Sequence, residues 1–169
     1  VSLENNAKIT GDVYYNGSIS LGSNAVTGPR HPGGAAPVTV DIPPFPVLDE
    51  SIYMQYPNPA PSGTLSGSFN IDGIYYVPGN LNISGTYYGN GMIVTHGKIT
   101  ITGDLIRGNK QSSLALIALG NNNGVGISGS NNATVYALLY SPYEIVLNNN
   151  YIFYGSLICN SVQVNNNTV

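Results

Sequence analysis

Apolar and polar residues alternate in a short phrase that returns along this chain, each time ending in a polar corner. The phrase reads Ser18-Ile19-Ser20-Leu21-Gly22, then Asn80-Leu81-Asn82-Ile83-Ser84-Gly85, then Lys98-Ile99-Thr100-Ile101-Thr102-Gly103. It returns as Gly124-Val125-Gly126-Ile127-Ser128-Gly129, Glu144-Ile145-Val146-Leu147-Asn148-Asn149 and Ser161-Val162-Gln163-Val164-Asn165-Asn166. Alternation of period two sends one set of side chains inward and the other outward from a strand. The second apolar residues of successive copies, Ile83, Ile101, Ile127, Leu147 and Val164, are 18, 26, 20 and 17 residues apart. A strand-built period near 18 predicts a solenoid whose coils stack on one another. The Gly108-Asn109-Lys110-Gln111 stretch has room for the extra residues of the long step.

Two further arms complete each coil. One reads Asn6-Ala7-Lys8-Ile9-Thr10-Gly11, and more weakly Asn24-Ala25-Val26-Thr27-Gly28 and Asn132-Ala133-Thr134-Val135. The other is more apolar: Val13-Tyr14-Tyr15, Met92-Ile93-Val94, Leu114 to Leu119, Ala137 to Tyr140, Ser156-Leu157-Ile158. Runs such as Leu114-Ala115-Leu116-Ile117-Ala118-Leu119 are apolar on both parities, which implies cover on the outer face too. Gly and Asn hold the corners because both tolerate a left-handed backbone. Asn148 to Asn150 and Asn165 to Asn167 are one coil apart and predict a stacked amide ladder. The fold expected is all-β: a right-handed three-sided parallel β-solenoid of about six to seven coils, one domain over residues 1–169.

Residues 29–72 interrupt the pattern. Nine of the eleven prolines fall between Pro29 and Pro61, and proline cannot donate to a sheet ladder. The segment is too apolar for a free linker, since Ile42, Phe45, Val47, Leu48, Ile52, Tyr53 and Met54 want partners. It predicts an excursion folded back over one solenoid face, with a short helix near Leu48–Tyr53 opened by Asp49-Glu50. The strands that are apolar on both sides are its expected landing place.

Only 8% of the 169 residues are charged, against roughly 25% in an average globular protein. Asn (22) and Gly (21) carry solubility instead, beside 13 Tyr and no Trp. A net charge of −3 leaves no basic stripe to neutralise phosphates and argues against nucleic acid. No apolar run is long enough to insert in a membrane. No signal peptide is visible at Val1-Ser2-Leu3-Glu4, so the chain reads as a mature or truncated piece of something longer. The single cysteine, Cys159, lies in an apolar run and reads as a buried inert thiol.

The pairing of Gly11-Asp12-Val13-Tyr14 with Asn16-Gly17-Ser18-Ile19, the insert Asp41 to Asp49, and the re-entry Tyr75-Tyr76-Val77-Pro78-Gly79-Asn80-Leu81-Asn82-Ile83-Ser84-Gly85 resemble a β-solenoid domain of bacterial secreted, pilin-like surface proteins, of clostridial type. The strand phrases alone also resemble bactofilin-like polymer-forming solenoids. The Pro-rich insert between early and later coils is the more specific part, and the likeness covers most of the chain. The pilin-type hydrophobic helix that often precedes such domains has no counterpart here. The resemblance implies an extracellular or cell-surface location and a structural or adhesive role, with other surface or pilus subunits as partners. It implies no catalytic residue.

Chemistry is sparse. Asp12 and Asp104 occur in matching phrases, Ile9-Thr10-Gly11-Asp12 and Ile101-Thr102-Gly103-Asp104, with Arg107 close to the second. A carbohydrate-active β-helix enzyme, a polysaccharide lyase or hydrolase, would need such carboxylates and a cation to converge. The plainer reading is an aspartate accepting backbone hydrogen bonds in a turn. His31 and His96 have no ligand partner at fixed spacing. Asp41, Asp49 and Asp72 lack a calcium-loop repeat. No metal or cofactor is expected. Sequons stand at Asn16, Asn82 and Asn132.

Binding is read instead from Tyr14, Tyr15, Tyr75, Tyr76, Tyr87 and Tyr88. Each adjacent pair sends one ring in and one out, and outward rings at coil spacing would stack on glycans or a partner protein. The competing reading packs them under the Pro-rich insert. The terminal runs, Val1 and Leu3 at one end and Val162, Val164 and Val169 at the other, read as bare strand edges. Bare edges and low charge predict head-to-tail assembly with further copies of this chain.

Overall fold

The structure, a computed structural model, describes residues 2–3, 5–6, 8, 13–15, 20–25, 29–32 and 46–166, with the backbone alone for 2–3, 13–15 and 30–32. The strands are β1 (Ser2–Leu3), β2 (Val13–Tyr15), β3 (Ser20–Leu21), β4 (Arg30–Pro32), β5 (Thr64–Leu65), β6 (Ser68–Asn70) and β7 (Gly73–Val77). They continue as β8 (Leu81–Tyr88), β9 (Asn90–Thr95), β10 (Ile99–Arg107), β11 (Ser113–Ala118), β12 (Val125–Gly129), β13 (Thr134–Leu147) and β14 (Ile152–Val164). They pair in parallel and stack as a β-solenoid of about six turns.

Three ladders define its three sides. On the first side, Leu65, Ile83, Ile101, Gly129, Leu147 and Val164 stand in one row. On the second, Gly85, Leu105, Val135 and Phe153 align. On the third, Tyr75, Ile93, Leu116, Leu139 and Leu157 align. The inward residues of the middle coils (Ile83, Ile101, Leu105, Val135, Ile93, Leu116 and Leu139) are fully buried. β1 pairs with β3 and β2 with β4 in two separate small sheets; among the described residues these do not pair with the main stack.

The register differs from the expected spacing in one coil. Ile127 stands opposite Ile99 and Ile145, and the partner of Ile101 is Gly129. The long step is therefore 28 residues, from Ile101 to Gly129. A slip of two keeps the same side inward, so alternation alone could not detect it. The place a larger residue would fill at Gly129 is taken by Tyr151, whose Cε2 lies 2.2 Å from where a Cβ would stand. The extra residues leave at two corners. Ile93 and Leu116 are 23 residues apart on the third side, so five enter before Ser113. The remainder form the turn at 119–124, where Asn123 and Gly124 take left-handed φ of 53° and 84° and Asn122 bridges Val125.

Corners are clipped by side chains one coil away. The Asn80 Oδ1 accepts the Lys98 N–H at 2.8 Å, and Asn131 Oδ1 accepts the Asn149 N–H at 3.2 Å. Asp72 Oδ1 accepts the Asn90 N–H at 3.0 Å. All three pairs are 18 residues apart. The Asn side chains also stack as the sequence suggested: Asn150 donates to Asn132 at 2.8 Å, and Asn165 to Asn148 at 3.0 Å. Asn6, Asn24, Asn132 and Asn150 all have positive φ, the conformation asparagine tolerates best after glycine.

The interruption is shorter than residues 29–72. Strand β4 lies inside that span at one end, and β5 and β6 at the other. These strands have two or three residues, too few to show alternation. Pro32 closes β4, an edge position where its missing N–H is tolerated. Residues 33–45 of the insert lie outside the described residues. The short helix expected near Leu48–Tyr53 is a single 3-10 turn, Glu50–Ile52. Asp49 caps it, accepting the Ser51 N–H at 3.0 Å and its hydroxyl at 2.7 Å. Pro46 and Pro57 flank a segment shorter than the ~12 residues a helix needs to sustain itself.

The insert covers the main stack twice. Leu48, Tyr53 and Tyr56 pack on the outward row of the third side, Tyr76, Val94, Ile117 and Tyr140. Further on, Pro57 accepts the Tyr76 N–H at 3.1 Å on the free edge of β7, and Ala60 joins the main core. Prolines on an exposed edge block further strand addition.

Tyr151 is fully buried, and its hydroxyl has no hydrogen-bond partner among the described residues. Burial pushes its pKa up. A buried hydroxyl without a partner costs about 1–3 kcal/mol. Tyr151→Phe keeps the ring that fills the Gly129 position and is expected to leave the urea midpoint unchanged or raise it. A lower midpoint would mean the hydroxyl is bonded.

Candidate functional site

Of the six tyrosines read as a binding stripe, the four whose side chains are described do not form one. Tyr14 and Tyr15 lie in β2, where the structure describes the backbone alone. Tyr75 points inward and is half-buried against the core. Tyr87 also points inward and is 2% exposed. Its hydroxyl donates to the Tyr136 carbonyl at 2.7 Å, and burial pushes its pKa up. Tyr76 does point outward, but the insert leaves it only 6% exposed. Tyr88 alone is exposed. The alternation of rings is present, but the outward row of the third side is roofed by the Pro-rich segment.

That roof is fixed by one carboxylate. Glu50 Oε1 accepts the Tyr76 hydroxyl at 2.6 Å and contacts His96 Nδ1 at 2.8 Å. The Tyr76 hydrogen bond is the main cause holding Glu50 below its ordinary value of 4.5; burial opposes it and His96 adds to it. Burial, then the Glu50 carboxylate, push Tyr76 up to about 12. The Tyr140 hydroxyl donates to the Pro46 carbonyl. Glu50 and His96 are 46 residues apart, and no local pattern joins them.

A second arrangement lies where the second side turns into the third. Arg107 sits over the Tyr136 ring, its Cζ 5.0 Å from the centroid. Tyr136 stacks on Tyr154, one coil on, with centroids 4.5 Å apart and planes 14° apart. The three form a column along the solenoid axis. Two clefts share its Arg107 and Tyr136. One, of about 340 Å³, is bounded by Ser112, Ser113, Leu138 and Tyr154. The other, of about 500 Å³, is bounded by Asp104, Asn109, Lys110 and Thr134. The loop at 108–112 that separates β10 from β11 creates both. It is rigid, since Asn109 Oδ1 accepts from the Gln111 N–H and the Ser112 hydroxyl, both at 3.0 Å. Ser112 in turn accepts the Gly89 N–H at 3.1 Å.

Asp104 and Arg107 thus line one cleft, while Asp12 lies outside the described residues. Asp104 Oδ1 accepts the Thr134 N–H at 2.7 Å, the turn role expected of a corner aspartate. Tyr136 and Tyr154 were missed because the sequence shows them as isolated residues. Only the 18-residue offset between them signals the stack, and it becomes visible once the register is known.

At the far edge, β14 carries Val162, 48% exposed, and half-buried Val164. Its inward residues Phe153, Leu157 and Cys159 are only partly buried, whereas their partners Val135, Leu139 and Ser141 are at 0%. Leu3 lies in β1, where the backbone alone is described; Val1 and Val169 lie outside the described residues. Burial, with the Glu144 charge, pushes the Cys159 thiol up. Among the described residues no three His, Cys, Asp or Glu side chains gather as a metal site, and no helix is long and apolar enough to cross a membrane. His31 and Asp41 lie where no side chain is described.

The geometry defines a β-solenoid with a roofed side, an apolar strand β14 and a charged aromatic column. No family model, no curated protein and no solved structure matches this chain.

Because the folded Glu50 value is depressed, its contribution is complete above the ordinary value and is lost as pH falls through the lowered one. Glu50→Gln is expected to cost about 1 kcal/mol at neutral pH, a fall of roughly 2–4 °C in the melting midpoint. Melts of the two proteins should converge as the pH falls below 4.5. A constant gap across that range would show that the carboxylate charge is not what holds the roof.

Proposed function

We propose that this chain is a non-enzymatic structural domain of a bacterial cell surface or its extracellular space, assembling with other copies of itself and carrying an adhesive surface. The observation that carries this reading is strand β14. Among the described residues it pairs on one side only, with β13, and it carries half-covered Phe153 and Leu157 and exposed Ile152, Ile158 and Val162. An apolar strand edge of that length templates a further strand, and low charge opposes little repulsion to its approach. At the opposite end of the main stack Pro57 covers part of β7. The likeness to secreted pilin-like solenoids, and more distantly to bactofilin-like polymers, supports the same role and supports placement outside the cell, with pilus or other surface subunits as alternative partners.

The second reading, a carbohydrate-active enzyme, is favoured by one observation, the shared cleft of Asp104 and Arg107. Release of reducing ends from an acidic polysaccharide, abolished in Asp104→Asn, would establish it in place of the structural role.

Electron microscopy and sedimentation across a concentration series test assembly. Filaments or growing species are expected for the wild type. Val162→Asp, at an exposed position, should keep its melting midpoint and remain monomeric. A wild-type chain that is monomeric at all concentrations would overturn the assembly reading.

A further inference from the structure

We infer that the column Arg107–Tyr136–Tyr154, with the loop that carries Lys110, is a binding site for an acidic saccharide bearing a carboxylate. The choice of a polysaccharide rests on the extracellular placement proposed above. The site itself rests on its own geometry.

The chain has five Lys and Arg residues in all, and two of them, Arg107 and Lys110, line one cleft. Neither is ion-paired with a described residue. The nearby carboxylate of Asp104 is turned to the Thr134 N–H at 2.7 Å. A protein that is nearly free of charge has therefore set two cations in one cleft, neither ion-paired with a described residue. Such cations, one at a strand end and one on the loop that follows, complement an anion brought from outside. The Asn109 and Ser112 bonds hold that loop in place, so little ordering is left for the ligand to supply.

The column sets the kind of anion. The Arg107 guanidinium, its Cζ 5.0 Å from the Tyr136 centroid, offers N–H donors to a planar carboxylate, the bidentate partner that arginine suits. Both faces of Tyr136 are taken, one by Arg107 and one by Tyr154. Tyr154 stacks on Tyr136 with one face and is 53% exposed. In a single chain its other face can stack on the apolar face of a sugar ring, and a further copy added on β14 would compete for it. Around the column stand exposed polar groups, Ser113 in one cleft and Asn109 in the other. They suit a ligand rich in hydroxyls. Two cations are too few for a phosphate backbone, which needs a continuous basic track. The combination of a carboxylate fork, an aromatic face and neutral hydrogen-bonding groups describes a uronate-containing chain.

Titration calorimetry with the full chain tests this, using hyaluronan oligosaccharides as the glucuronate probe and their carboxyl-methylated forms as the neutral control. The acid form is expected to bind, with the methylated form at least tenfold weaker. Arg107→Ala, Lys110→Ala and Tyr154→Ala should each weaken binding by about tenfold, the order of one charge-assisted hydrogen bond or one stacking contact. Asp104→Asn removes a like charge and should keep or strengthen binding. Melting midpoints of the Arg107 and Lys110 variants show whether any loss follows from misfolding. No binding at millimolar probe overturns the site, as does equal binding of acid and methylated forms, or loss in none of the three alanine variants. The same titration in the Val162→Asp background separates the two proposals. Binding by that monomer supports the site whether or not filaments form, and binding that appears only in assembled wild type overturns it as a property of one chain.

Discussion

The parallel backbone ladder forces each inward residue to sit directly above its equivalent one coil earlier, at about 4.8 Å. Everything else in the molecule answers to that constraint. Inward positions must be dry and of similar bulk, so they are Ile, Leu and Val through the middle coils. Corners must bend the backbone at the same place in each coil, so they hold Asn in a left-handed conformation. Their side chains reach to the next coil and bond there 18 residues away. Strand interiors cannot accept one extra residue without turning the wrong side chains outward. Larger additions leave as loops, as at 108–112 and 119–124, and smaller ones are taken up as register shifts at Ile101/Leu105, Val125/Ile127 and Ser141/Glu144.

That constraint also explains what could be read from the sequence. Alternation and Asn corners are local, and both were legible: three sides, parallel stacking and the Asn ladder follow from them. The exact register was not. Ile101 faces Gly129, and the core is completed by Tyr151, a residue outside every repeated phrase. Two- and three-residue strands such as β4, β5 and β6 carried too little pattern to be distinguished from the insert. The insert's apolar residues did point to a landing place on strands apolar on both parities, and Leu48, Tyr53 and Tyr56 do lie there. The same contact hides Tyr76, so an outward ring read from parity alone is not an exposed ring. Glu50 with His96, and Arg107 with Tyr136, are pairings between separate coils or between insert and coil, and nothing local encodes them.

The insert does not repeat, and it is anchored differently from the coils. Within the coils, cohesion is apolar packing plus mostly neutral hydrogen bonds, with aspartate carboxylates at the Asp72 and Asp104 corners. The roof adds a charged one, Glu50 to Tyr76 and His96, in a place partly shielded from water. Hydrogen bonds to a charged group are stronger than neutral ones, which suits a short irregular segment with a small apolar footprint. The cost is a dependence on acidity that the ladder itself does not share.

Charge is scarce here for a reason that follows from stacking. A charged side chain on a repeated outward position would face its own equivalents a few ångströms away, coil after coil, and like charges opposite each other in a sheet are destabilising. Neutral Asn, Ser and Thr escape that penalty, so the regular coils are nearly uncharged. A charge is tolerated most easily where the repeat breaks and no equivalent stands above or below it. Asp104, Arg107 and Lys110 flank the loop at 108–112, which no neighbouring coil possesses. Departures from the repeat are thus where this fold can gain recognition chemistry without weakening its core. The regular ladder supplies a stiff support on which a few irregular residues are held still.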